Sequence, residues 1–266
     1  MPLAAVCQMS SGPDKAQNVA LARELVSRAA AMGASFVALP ENFELMASSQ
    51  EKREQAEPLD GPTLTSLREL ARALGITLLA GSLAERAEGG KVHNTSVLVG
   101  PDGRDLAVYR KIHLFDVDIR DGATYRESEL VVPGSEAVTG DSPQGRVGLS
   151  VCYDLRFPEL YRRLSRAGAE ILTVPAAFTL LTGKDHWEVL LRARAIENQC
   201  FVVAAAQHGS HPGNRLTYGH SMIVDPWGIV LACCADGSGV ALAELDRAAL
   251  ARIRKQLPAL EHRRLE

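Results

Sequence analysis

Residues 147–159 read VGLSVCYDLRFPE, a stretch that joins an apolar strand to a cysteine and then to a helix. The run Val147–Val151 predicts a buried strand, and a helix is predicted over Phe157–Ala167. Cys152 therefore lies at a strand-to-helix junction, where the amide N–H groups of the next turn lower a thiol pKa and stabilise an oxyanion. Polar residues follow Cys152 at once, which is unusual for a purely structural strand. The position of Cys152 alone is compatible with either role, a nucleophile or a buried structural cysteine.

Strands and helices alternate on both sides of this junction, which predicts an α/β fold with helices layered on a sheet. We expect one domain over residues 1–266, because no linker-like or repetitive stretch divides the chain. The polar, Gly-containing segment 116–129 is predicted to be a loop. The predicted strands are 3–9, 36–39, 76–80, 94–99, 106–109, 147–151, 171–174, 201–206, 221–224, 229–232 and 240–243. The predicted helices are 18–32, 63–74, 157–167, 184–198 and one from Arg247, with Asp246 as its N-cap.

The helix predicted over 184–198 carries two kinds of side chain. Trp187, Leu190, Leu191 and Ile196 have the spacing of a stripe that faces the core. Arg192 and Arg194 are interpreted as ion-paired surface groups rather than as substrate-binding groups.

Composition and charge exclude several classes of function. The formal net charge is −3, with 46% hydrophobic and 23% charged residues, so we expect no nucleic-acid partner. No apolar run reaches the ~18–20 residues of a membrane span, and the N-terminus lacks the basic region of a signal peptide. The five cysteines have neither disulfide-framework nor zinc spacing, so we expect reduced thiols in the cytoplasm. No Gly-rich phosphate loop is present, and we expect neither a cofactor nor a metal.

A cysteine nucleophile needs a base and a cationic group near the developing oxyanion. None of the seven histidines can be matched to Cys152 by local spacing. Glu41 follows a buried strand at an end where open α/β sheets carry their sites, and Lys111 ends another strand beside a polar loop. Each has a simpler alternative as a solvated surface charge.

Three motifs together resemble the signatures of the nitrilase, or carbon–nitrogen hydrolase, superfamily: LPEN at 39–42, YRKIHLFD at 109–116 and VCYDLRFPE at 151–159. The resemblance places the family's Glu-Lys-Cys triad on Glu41, Lys111 and Cys152. It matches a second glutamate, which positions the lysine and the substrate, to Glu127. It also implies a four-layer α-β-β-α sandwich with two mixed sheets, and a homodimer or higher homo-oligomer.

Within the superfamily, the C-terminal half resembles the branch that contains the deaminated glutathione amidases, through HWEVLLRARAIEN at 186–198, VVAAAQHG at 202–209 and YGHSMIVDPWG at 218–228. The neighbouring omega-amidase branch, which acts on 2-oxoglutaramate or a related monoamide, shares several of these features. Lys184 and Asp185 depart from the expected pattern, which puts the substrate in doubt.

The resemblance implies hydrolysis of a small anionic α-keto amide through a thioester on Cys152. Glu41 would shuttle the proton, while Lys111 and the backbone N–H of Tyr153 would hold the oxyanion. Two alternatives from other classes are a redox-sensing or peroxide-reducing thiol and a non-catalytic scaffold.

Overall fold

The computed structural model describes residues 1–118 and 124–265, and two large β-sheets lie at its centre. The first sheet has seven strands in the order β17-β1-β2-β3-β5-β4, with β6 pairing with β5. The central pairs β1–β2 and β2–β3 are parallel, and the outer pairs are antiparallel. These strands are β1 (Leu3–Gln8), β2 (Phe36–Ala38), β3 (Thr77–Leu79), β4 (Leu83–Arg86), β5 (Val92–Val99), β6 (Asp105–Arg110) and β17 (Gly239–Glu244).

The second sheet has six strands in the order β16-β15-β12-β11-β10-β9. It is also mixed, because β10, β11 and β12 run parallel while β9, β15 and β16 pair antiparallel. Its strands are β9 (Thr139–Ser142), β10 (Gly145–Leu149), β11 (Ile171–Thr173), β12 (Phe201–Ala204), β15 (Met222–Val224) and β16 (Val230–Cys233).

The alternation of side chains along β1 shows how the layers stack. Ala4 and Val6 belong to the hydrophobic core shared with the second sheet, whereas Ala5 and Cys7 belong to a second core, formed with the outer helices. Successive side chains of a strand point to opposite faces, so this sheet is buried on both sides. The sheets pack face to face between helical layers, and the four-layer α-β-β-α architecture is confirmed.

Helices cover the outer face of each sheet. α1 (Lys15–Ala31) and α3 (Pro62–Leu74) pack on the first sheet, and α4 (Pro158–Arg166) and α5 (Leu180–Asn198) pack on the second. Two further α-helices lie in the described ranges, α2 (Ser49–Glu54) and α6 (Arg247–Gln256). α1 begins three residues before the predicted start, because the Asp14 side chain accepts a hydrogen bond from the N–H of Gln17 and caps it there. None of the helices in the described ranges is long and apolar enough to cross a bilayer.

Two short antiparallel ribbons flank the sheets. β7 (Asp116–Asp118) pairs with β8 (Thr124–Arg126), and β13 (His208–His211) pairs with β14 (Arg215–Tyr218). The predicted loop over 116–129 is therefore wrong where the structure describes it, because polar strands carry no apolar periodicity to reveal them. The part of that prediction at 119–123 lies outside the described residues.

The interpretation of α5 needs three corrections. The helix begins at Leu180 and takes in Gly183, where a Cβ would lie 2.3 Å from Cβ of Tyr218. Ile196 is 49% exposed and does not share the buried face of Trp187 and Leu191. Arg194 is buried rather than on the surface, and its guanidinium donates to the carbonyl of Leu155 at 2.7 and 3.0 Å.

Candidate active site

The predicted site residues meet because each follows a strand that ends at the same edge of its sheet. Glu41 lies just after β2, Lys111 directly after β6, and Cys152 just after β10. Glu127 reaches them from the short 3-10 turn that follows β8. All four side chains, together with Tyr153, line one cavity of about 360 Å³. This volume suits a small-molecule ligand.

Lys111 lies between two carboxylates and is only 2% exposed. Its Nζ donates to Oε1 of Glu41 at 3.1 Å and to Oε2 and Oε1 of Glu127 at 2.8 and 3.1 Å. Burial by itself lowers the pKa of Lys111, but the charges of Glu127 and Glu41 outweigh it and raise that pKa well above its usual value. The side chain is therefore an ammonium, and all three hydrogen bonds that its Nζ makes go to these two carboxylates.

Glu41 is 3% exposed, and its carboxylate accepts hydrogen bonds from several sides. Nδ2 of Asn94 donates to Oε1 at 2.9 Å, and the N–H of Ala177 donates to Oε2 at 2.8 Å. Burial raises the pKa of Glu41, but the Lys111 charge and hydrogen bonds from Cys152, Lys111 and Asn94 more than offset it, so the pKa is lowered. Glu41 is held as a carboxylate beside a thiol that donates to it.

Cys152 is 8% exposed and begins a 3-10 helix that runs to Arg156. Its φ of +49° is in the left-handed region, which is rare for a residue with a Cβ and is a sign of local strain. Burial and the neighbouring charge of Glu41 raise the pKa of the Cys152 thiol well above its usual value, although Lys111 opposes this. The lowered thiol pKa expected from the strand-to-helix junction is therefore wrong, because burial and Glu41 outweigh the amides. The resting nucleophile is thus a thiol whose proton points to a carboxylate.

The amide groups around Cys152 restrict where an oxyanion can bind. The N–H of Cys152 donates to the carbonyl of Pro175 at 2.9 Å, and the N–H of Asp154 donates to Val151 at 3.1 Å. Both amides are therefore occupied. The backbone between them belongs to Tyr153, whose ring lies edge-on to those of Phe115 and Phe157 with centroid distances of 5.0 and 5.3 Å.

A buried carboxylate, Asp154, joins the segment that carries Lys111 to the one that carries Cys152. Its Oδ2 accepts from the Tyr109 hydroxyl at 2.6 Å and from the N–H of Val151 at 2.8 Å. Its Oδ1 lies 2.7 Å from Nδ1 of His113 and accepts from the backbone N–H of His113 at 3.1 Å. The two segments are thereby fixed relative to each other.

Sequence reasoning missed two residues that support this site. Asn94 bridges the glutamates, because its Nδ2 donates to Glu127 at 3.1 Å as well as to Glu41. The signal was an Asn inside a strand, where Asn is depleted. Asp154 was noted only as a polar residue after Cys152, and nothing local in the sequence indicates its partners.

No metal centre accompanies these residues. Within 1–118 and 124–265, no three His, Cys, Asp or Glu side chains are arranged to hold an ion. All five cysteines are free thiols.

Comparisons with known proteins agree with this geometry. The family model described as carbon-nitrogen hydrolase matches residues 3–255. A protein of Synechocystis sp. named deaminated glutathione amidase is 49% identical over 98% of this chain and 97% of its own.

Two solved structures are also similar. The Caenorhabditis elegans NitFhit protein superposes with a TM-score of 0.93 at 43% identity, covering 99% of this chain, which spans 65% of that fusion protein. Saccharomyces cerevisiae Nit3, a member of branch 10 of the nitrilase superfamily, has a TM-score of 0.89 at 33% identity, with 99% and 97% of the two chains covered.

The match of family model, full-length relatives and fold favours a hydrolase over the redox thiol and the scaffold that the sequence left open. The chain belongs to the carbon–nitrogen hydrolase family, and it is an amidase that acts on carbon–nitrogen bonds, other than peptide bonds, of a small-molecule substrate.

Proposed function

We propose that this protein hydrolyses the amide bond of deaminated glutathione, releasing 2-oxoglutarate and Cys-Gly through a thioester on Cys152. The observation that carries the proposal is the buried contact of Cys152, Glu41 and Lys111 at one cavity wall. The name of the Synechocystis relative, at 49% identity over nearly the whole chain, supports the substrate.

In acylation, Glu41 accepts the thiol proton of Cys152 as sulfur attacks the amide carbonyl. The lowered pKa of Glu41 keeps it ionised, and the raised pKa of Cys152 delays deprotonation until the attack. Coupling the two events avoids forming a free buried thiolate as a separate intermediate.

The tetrahedral intermediate carries its negative charge on the former carbonyl oxygen. The ammonium charge of Lys111 and the backbone N–H of Tyr153 are assigned to this oxyanion, since the amides of Cys152 and Asp154 are occupied. Fixed donors in a water-poor site stabilise such a charge by several kcal/mol, roughly 2.7–4 per donor.

Collapse of the intermediate breaks the carbon–nitrogen bond as protonated Glu41 returns its proton to the leaving nitrogen. Glu41 then removes a proton from water, which attacks the thioester, and the carbon–sulfur bond breaks with the proton returned to sulfur. Glu127 has a positioning role, because its hydrogen bonds hold Lys111 and the N–H of Phe115.

The substrate is tested with a panel of ω-amides and α-keto amides, with released ammonia and released amine measured separately. Deaminated glutathione should be cleaved far faster than glutathione, because the α-amino group adds a cation that the proposed substrate lacks. A strong preference for 2-oxoglutaramate would instead make the protein an omega-amidase. Equal rates on glutathione and its deaminated form would contradict the proposal.

We further propose that the chain is one domain that forms a homodimer or higher homo-oligomer. An exposed apolar patch supports the assembly: Ile196, Trp227 and Ile229 are 49%, 57% and 54% exposed, and Ile196 lies against Gly228. We also propose that the protein works in the cytoplasm, because free thiols are typical of a reducing compartment. Sedimentation of the wild type and of Trp227→Lys checks the assembly, and a monomeric wild type would contradict it.

A further inference from the structure

One part of the cavity wall carries two cations that the proposed reaction does not use. Lys52 in α2 and Arg215 in β14 both line the cavity. In the described part of the chain, the guanidinium of Arg215 makes no hydrogen bond and no ion pair. Lys52 makes one hydrogen bond, from Nζ to Oδ1 of Asn42 at 2.8 Å, so two of its three donors are unused.

In the described part of the chain, no carboxylate makes an ion pair with either cation. Burial lowers the pKa of Lys52, and the proximity of Arg215 lowers it further, against the opposing charges of Glu44, Glu41 and Glu127. Glu44 itself is buried, with its pKa raised by that burial, and its Oε1 is committed to the N–H of Ala84. A bound anion would relieve the repulsion between the two cations.

The other cations at the cavity each have a charged or aromatic partner. Lys111 donates to two glutamates. Arg126 pairs with Asp118 at 2.9 Å. Arg156 lies over the ring of Phe178, 5.0 Å from its centroid, and contacts His186. In the described part of the chain, Lys52 and Arg215 are therefore the cavity cations without a carboxylate or aromatic partner.

We propose that Lys52 and Arg215 form a carboxylate subsite for the leaving half of the substrate, the Cys-Gly dipeptide. This inference rests on the function proposed above. The terminal carboxylate of Cys-Gly is two residues from the scissile nitrogen, a reach of about 7 Å when extended. Lys52 lines the same cavity as the proton-shuttling glutamate, and its Nζ is hydrogen-bonded to Asn42, the residue next to Glu41. The subsite selects an anionic amine as the leaving group over ammonia.

The test compares deaminated glutathione with its glycinamide analogue, which lacks only the terminal negative charge. The wild type should show a KM for the analogue about tenfold to a hundredfold higher, the range expected for charge-assisted hydrogen bonds. Arg215→Met and Lys52→Met should each raise the KM for the acid about tenfold, with kcat within about threefold, and so reduce the preference over the analogue. Arg215→Lys, which keeps a positive charge, should retain part of the preference for the acid over the analogue that Arg215→Met loses. Arg104→Met, at an exposed arginine outside the cavity, is the matched control.

A second measurement does not depend on turnover. Calorimetry should show Cys-Gly binding about tenfold more tightly than Cys-glycinamide, with the difference lost in Arg215→Met. Equal binding of the two dipeptides, or equal KM values for the acid and the analogue in the wild type, would overturn the subsite. A wild type that binds Cys-Gly selectively but does not hydrolyse deaminated glutathione would instead refute the proposed function and keep the subsite.

Discussion

Replacing Asp154 with Asn keeps the shape of a buried side chain but removes its charge and two of its acceptor positions. The carboxylate of Asp154 has four donors or donor candidates around it: the Tyr109 hydroxyl, the N–H of Val151, and the N–H and Nδ1 of His113. The Tyr109 hydroxyl and the N–H of Val151 face one oxygen, and the two groups of His113 face the other. An Asn side chain has one oxygen and one NH2 group, so in either orientation its NH2 hydrogens face one of these two pairs.

The structure gives a magnitude for this change. If Nδ2 replaces Oδ2, the Tyr109 hydroxyl can rotate to accept, but the N–H of Val151 loses its partner. If Nδ2 replaces Oδ1, the His113 ring can change tautomer, but the backbone N–H of His113 is left unpaired. One buried N–H without a partner costs about 1–3 kcal/mol, and weakening the remaining charge-assisted bonds adds about 1 kcal/mol. We expect Asp154→Asn to lower the free energy of unfolding by about 3 kcal/mol.

The variant should also lose activity, because Val151 and His113 flank Cys152 and Lys111. Urea unfolding gives the stability, and amine release gives kcat, which should fall at least about tenfold from a displaced site. Asp141→Asn is the matched control, since Asp141 forms an exposed ion pair with Arg146 that contributes about 0–1 kcal/mol. An Asp154→Asn protein within about 0.5 kcal/mol of the wild type, with unchanged kcat, would refute the reasoning.

Three further outcomes are expected. Cys152→Ala should abolish turnover while shifting the melting temperature by less than about 4 °C, because little volume is removed; substantial residual hydrolysis would exclude the thioester. The lowered pKa of Glu41 should keep kcat/KM high into acid pH, with loss only below the pH at which an ordinary glutamate titrates, and a midpoint near about pH 7 would contradict this base. Gly81→Ala should destabilise by at least about 3 kcal/mol, because its Cβ would lie 2.0 Å from the carbonyl of Pro40. Gly89→Ala, where φ is also positive but the space is open, should cost about 1–2 kcal/mol; equal losses would argue against the clash.

The sequence predicts those parts of the fold that depend on local signals. Apolar runs locate the buried strands, and Asp246 caps α6 as expected, accepting from the N–H groups of Ala248 and Ala249. The short helix α2 was missed although its capping box, Ser48 with Glu51, is readable in the sequence. Its single turn and a half buries no residue, so no apolar periodicity marks it.

The support of the site depends on partners that are far apart along the chain, which no local pattern encodes. Asn94 contacts Glu41 across 53 positions, and Asp154 contacts Tyr109 across 45. Arg194 illustrates the same limit. Its charge predicted a surface position, but the carbonyl of Leu155 satisfies its guanidinium inside the protein.

The most direct test of the account is intact-protein mass spectrometry after rapid mixing with deaminated glutathione. Little adduct is expected on Glu41→Gln, because this variant cannot accept the thiol proton. Glu127→Gln keeps the proton shuttle, so it should either release product and return to free enzyme or accumulate a 2-oxoglutaryl thioester mapped to Cys152. Rapid acylation of Cys152 without Glu41, and none without Glu127, would contradict the assignment of the proton shuttle to Glu41.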